Sequence, residues 1–140
     1  QRQLSDRAPY INSMSDPIIV QLKKNKLVDS VVSLLNNLFG NNVQRFLIDA
    51  SSYDPAVEIS KLDMSVLIIQ GTNDIQVEVK DAEILHAASS KSKLEIIQGM
   101  NHVFRQASEN FILNLQTYAN PDLPIDENLP LIIADFIFEE

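Results

Sequence analysis

Apolar residues recur along the first part of the chain at three- and four-residue intervals. In "NKLVDSVVSLLNNLFGNN" the positions Leu27, Val31, Leu34, Leu35 and Leu38 trace one face of a helix, and Gly40 is placed to stop it. "YDPAVEISKL" opens another: Asp54 can cap it, Pro55 suits the first helical position, and Val57 and Leu62 lie near one face. The segment from about residue 14 to about residue 62 therefore reads as several short helices wrapped together. From Ser65 the pattern changes. "VLIIQ" is a continuous apolar run, as in a strand buried on both faces of a parallel sheet. Val79, Ala82 and Leu85 then form a helical stripe, and "KLEIIQ" is a second strand whose Glu95 places it near or at the sheet edge. Strand, helix and strand within about 35 residues make a βαβ unit, with the second strand parallel to the first through a right-handed crossover. Beyond it, "SENFILNLQTYANPDLPIDENLP" reads as a helix or ordered loop followed by a proline-punctuated turn. "PLIIADFIFEE" reads as a terminal helix laid on the sheet by Ile132, Ile133, Phe136 and Ile137.

The two strands end alike. In "VLIIQGTNDIQV" Asp74 stands three residues after Gly71, and in "KLEIIQGMNHVF" His102 stands three residues after Gly99. Both turns fall at the carboxyl edge of the sheet, where open α/β sheets place ligands and catalytic groups. Neighbouring parallel strands lie about 5 Å apart, so the two turns can bring a carboxylate and an imidazole into hydrogen-bond range. A carboxylate bonded to one ring nitrogen fixes the tautomer and makes the other nitrogen a general base. Taken singly, an aspartate in such a turn serves turn hydrogen bonding and a lone histidine is structural. The joint arrangement, acid and histidine at one edge in this chain order, points to catalysis.

Composition narrows the function. The chain has 140 residues, 45% of them hydrophobic, enough for a domain with a real core. A net charge of -8 argues against nucleic acid, and the one basic cluster, Lys23, Lys24 and Lys26, reads as a solvated helix face. There is no cysteine, hence no disulfide, thiolate metal site or cysteine nucleophile. No apolar run is long enough to span a bilayer. The chain opens with Gln1 and shows no leader, so any targeting signal is expected upstream, and the compartment stays open. His86 falls within the helix between the strands, on the face of Val79 and Ala82, and reads as a packed or snorkelling residue.

The stretch from about Tyr53 to Phe138 resembles the C-terminal part of serine hydrolases of the α/β-hydrolase superfamily, in particular bacterial esterase or lysophospholipase-like members of the serine aminopeptidase-like group. "DPAVEISKL", "VLIIQGTNDIQV", "VKDAEILHAA", "KLEIIQGMNHVF" and "YANPDLPI" carry the likeness in order and spacing. It implies an α/β class and an α/β-hydrolase fold, with residues 1–53 as a helical lid and residues 54–140 as the C-terminal part of the core, the last two parallel strands and their flanking helices. It makes Asp74 the acid, in a Gly71-Thr72-Asn73-Asp74 turn, and His102 the base. No metal or organic cofactor is implied, and the substrate is a small ester or lipid-like molecule. Apolar residues of the lid segment, Ile18, Ile19, Leu35 and Phe39, suggest an acyl pocket.

The nucleophile is not in view. A G-x-S-x-G elbow needs glycines four positions apart, and the chain has only Gly40, Gly71 and Gly99. Ser51, Ser52, Ser89 and Ser90 lack an elbow, and the oxyanion hole is absent with it. The expectation is therefore a C-terminal half whose partner is the N-terminal half of the same protein, poorly soluble or loosely packed and inactive alone, with a further parallel neighbour beside its first strand. Two alternatives keep the fold: an aspartate nucleophile acting on carbon-halogen or epoxide bonds, and a non-catalytic binding protein.

Overall fold

The computed structural model describes the backbone of residues 9–139 and side chains from residue 13. Residues 1–8 of the predicted lid segment and Glu140 lie outside the described residues. The chain is mixed helix and parallel sheet, in two compact units that divide after Pro55. No helix among the described residues is long and apolar enough to cross a membrane.

The first unit holds α1 (Pro9–Lys23), a 3-10 turn over Ser33–Leu35, α2 (Asn36–Phe39) and α3 (Asn41–Ser51), with α4 (Pro55–Ile59) beginning at its end. Its core is Ile18, Leu22 and Leu35, packed by Met14, Val28, Val31, Phe39, Leu47 and Ile48. The helix expected over Leu27 to Leu38 forms only in its second half, from Ser33 on. After Lys23 the chain turns through Asn25 at φ 58°, a left-handed conformation that asparagine tolerates. It then runs without helix to Val32. The physical reason is Gln44. Its fully buried side chain accepts from Val28 N at 2.7 Å and donates to Val28 O at 2.8 Å and Phe39 O at 2.9 Å. Both backbone groups of Val28 are thus satisfied without a helix. Leu27, Leu34 and Leu38 stay exposed, and Gly40 both ends α2, its N–H donating to Asn36 O, and precedes α3 as its N-cap.

The second unit is built on β1 (Val66–Gly71) and β2 (Ser92–Ile97), parallel and in register from Val66 opposite Ser92 to Gly71 opposite Ile97. The crossover helix α5 (Val79–Ala88) starts with a reciprocal cap between Glu78 and Asp81 and buries Ala82. Two further helices follow, α6 (Phe111–Tyr118) and α7 (Asn128–Phe138). A small core joins Ile97, Met100 and Leu129 to Ile69 and Ile132.

Three expectations are corrected here. First, β1 is only half-buried over Val66 to Ile69, because among the described residues it has a strand on one edge alone. Second, α7 seats Leu129 and Ile132, whereas Ile133 and Ile137 face solvent. A helix apolar almost all round offers no sequence cue to which face packs. Third, His86 lies exposed in the last turn of α5, its Nδ1 2.8 Å from Ser92 Oγ.

Gln44→Leu keeps the volume but orphans Val28 N–H, Val28 C=O and Phe39 C=O, so a loss of about 3 kcal/mol is expected from urea unfolding at constant m-value. An unchanged midpoint would mean that these groups reach water and that Gln44 does not shape the segment.

Candidate catalytic pair

The two turns that follow β1 and β2 are pressed together at the sheet's carboxyl edge. Gly71 is needed for close approach: a Cβ there would collide with the Met100 carbonyl. Across this contact Thr72 N donates to Ile97 O at 3.1 Å, Asn73 N to Met100 O at 3.0 Å and Gly99 N to Thr72 Oγ1 at 2.8 Å. Gly99 has φ 78°, and a side chain on it would meet Gln106.

Asparagines complete the clamp. Asn73 Nδ2 donates to Ala107 O at 2.7 Å, and Asn114 Nδ2 to Asn73 O at 2.7 Å. Asn101 donates to Asn114 Oδ1 at 3.0 Å and Thr117 Oγ1 at 2.6 Å, while its own Oδ1 accepts from Val103 N and Arg105 N. Asn101 and Asn114 are each 1% exposed, and buried amides are tolerated only when bonded this fully. Helix α6 is thereby turned so that Asn114 faces inward, while Phe111, Ile112, Leu113 and Leu115 face out.

Within this frame Asp74 meets His102. Asp74 Oδ1 accepts from Gln76 N at 2.7 Å and Val77 N at 3.0 Å. Its Oδ2 accepts from Gln70 Nε2 at 3.2 Å and lies 2.8 Å from His102 Nδ1. An ionised carboxylate only accepts, so Nδ1 carries the proton and Nε2 of the neutral ring is left with the lone pair. No described residue bonds to Nε2. The Asp74 side chain is 6% exposed and that of His102 42% exposed, so the acid is shielded while the ring opens to solvent.

Burial works to raise the Asp74 pKa, but the Val77 and Gln76 amides, His102 and Gln70 together hold it below the ordinary value. Tyr118 is raised, chiefly by burial. Its hydroxyl lies by Gln76 and the His102 backbone without reaching hydrogen-bond geometry, and it stays protonated beside the pair. No three His, Cys, Asp or Glu among the described residues are grouped to hold a metal. A base of this kind can take a proton at Nε2 and have the resulting imidazolium stabilised by Asp74.

Ser51 and Ser52 donate to Ile48 O and Asp49 O, and Ser89 is buried at the end of α5. Ile18 and Leu35 are core, whereas Ile19 and Phe39 line an apolar pocket of about 200 Å³, smaller than ligand sites usually are. Sequence reasoning missed Gln70, Asn73, Asn101 and Asn114. The one visible cue was that an asparagine immediately precedes both Asp74 and His102. Neither a scan against protein-family models nor searches of curated proteins and of solved structures finds a match for this chain.

Asp126, 2% exposed, is also held low, burial being outweighed by Gln106, Asn128 and Leu129. A carboxylate with a depressed folded pKa stabilises fully above its ordinary value of 3.8, and that contribution fades as pH falls through the folded pKa. Melting temperatures at about pH 6 and about pH 3 should therefore differ, and Asp74→Asn should narrow the gap by lowering the value at the higher pH. An equal gap in the variant would show that the bonds to Asp74 contribute nothing to folding.

Proposed function

We propose that this chain supplies the acid and base of a serine ester hydrolase of the α/β-hydrolase type. Asp74 orients His102, and His102 activates a serine that lies outside these 140 residues. The observation that carries the reading is the 2.8 Å bond from His102 Nδ1 to Asp74 Oδ2, made between equivalent turns of parallel strands with Nε2 left for a further partner. The half-exposed, uncharged β1 supports it, since a strand of that composition normally has neighbours on both edges.

In this reaction Nε2 takes the serine proton as the hydroxyl oxygen bonds to the ester carbonyl carbon. Asp74 stabilises the imidazolium, which then returns the proton to the leaving alkoxide. Water attacks the acyl-serine by the same route and restores the serine. Carboxylic esters and lysophospholipids are the substrate class, and no metal or organic cofactor is required by these steps.

The test is fluorophosphonate labelling of the native protein from its source, followed by mass spectrometry. Labelling of a serine outside the present sequence, lost in His102→Ala, is the expected result. An unlabelled protein with intact fold would refute the hydrolase reading. The 140-residue chain on its own should not turn over a p-nitrophenyl ester, because its base has no nucleophile to activate. Turnover that disappears in His102→Ala would place the nucleophile within it.

A further inference from the structure

Phe104 carries two penalties at once. Its φ is 61°, the left-handed region in which a bulky side chain is strained and where glycine or asparagine is at ease. Asn25, at φ 58°, is the kind of residue such a position ordinarily takes. Phe104 is held there from both sides, its N–H donating to Asn101 O at 3.0 Å and its carbonyl accepting from Asp126 N at 2.7 Å. The ring gains little from burial in return: it is 49% exposed and belongs to neither apolar cluster. The bond from Phe104 N to Asn101 O closes the turn that presents His102, so the exposed ring stands two residues from the exposed imidazole.

Backbone strain that brings no packing calls for another role for the side chain. We infer that Phe104 is a specificity-determining residue, an apolar contact for the alkyl or aryl part of an ester whose reacting carbon comes to His102. Ester chemistry here rests on the hydrolase reading; the apolar contact beside His102 does not. Charge agrees with a neutral ligand: Asp74 faces the ring of His102, Arg105 is engaged with Thr117 O and Asn120 O, and Asp126 is fully bonded.

Ring-labelled histidine gives an NMR reporter in the native protein, and the His102 signal is assigned by its loss in His102→Gln. Methyl hexanoate and methyl acetate are titrated as probes. In the wild type, hexanoate should perturb His102 saturably at about one-tenth the concentration that acetate needs, as about two buried methylenes would give. In Phe104→Asn that preference should fall to near one while the melting temperature rises by about 3 °C as strain is relieved. Phe104→Leu should keep most of the preference without the thermal gain.

A preference that survives Phe104→Asn, a wild-type His102 indifferent to both esters, or a lower melting temperature in Phe104→Asn would each overturn the inference. Fluorophosphonate labelling separates the two questions. Absent labelling with a collapsed preference leaves Phe104 as an apolar contact at a non-catalytic histidine. Labelling with an unchanged preference keeps the hydrolase and removes Phe104 from specificity.

Discussion

The carbonyl of Met100 runs so close over Gly71 that no side chain could stand between them, and the meeting of Asp74 with His102 depends on that contact. Parallel pairing brings the strand ends level, with Gly71 opposite Ile97. Level ends alone would leave two independent turns. Because the second turn folds across a bare Cα, the amides of Thr72 and Asn73 find acceptors in the other loop, and the two turns become one polar structure. The carboxylate and the imidazole are then positioned by backbone, which costs less ordering than fixing long side chains from separate elements.

That structure reverses the usual division of polar and apolar groups. The core of the second unit is small, and two amides, Asn101 and Asn114, are as deeply buried around the pair as its apolar Met100. Each buried amide would be costly alone, but Asn101, Asn114 and Thr117 complete one another's bonds and Asn114 also reaches the Asn73 carbonyl, so removal of any one of the three strands its neighbours. Helix α6 takes its orientation from this demand: Asn114 and Thr117 answer the turns, and Phe111, Ile112, Leu113 and Leu115 are left outside. Side-chain amides at the sheet edge therefore decide which way a helix faces, against its hydrophobicity.

What could be read from the sequence follows from which forces were local. The βαβ unit was legible because β1 is a continuous apolar run, α5 has a helical stripe, and the two glycine turns share their spacing. The proximity of Asp74 and His102 followed from topology. In the first unit the short helices were legible, but Leu27 to Val32 was misread because Leu27, Val31, Leu34 and Leu38 do carry a helical period, while the interaction that overrides it joins Gln44 to Val28, 16 positions away. A side chain bonding to distant backbone leaves no periodic trace. Likewise "FILNLQTY" gives no hint that Asn114 and Thr117 point inward, since the groups that need Asn114 lie in turns 41 and 13 positions earlier.

The two strands also differ in how they meet solvent. β2 carries Lys93 and Glu95, with Lys93 near Glu95 at 3.6 Å and Glu139 at 3.5 Å, and charges of this kind discourage another strand from adding. β1 has no charge from Val66 to Gly71, and its apolar side chains are only half-covered. Among the described residues the sheet guards one edge and leaves the other bare, so it is lopsided in the direction of further pairing: backbone groups on that edge of β1 have no strand beside them, and its side chains gain by burial. A strand added there would lie on the side of the sheet that ends in the Asp74 turn. The acid is already shielded by its own loop, whereas the imidazole keeps one nitrogen and much of its ring open. Completing the sheet would therefore bury apolar surface without displacing any bond that holds the pair.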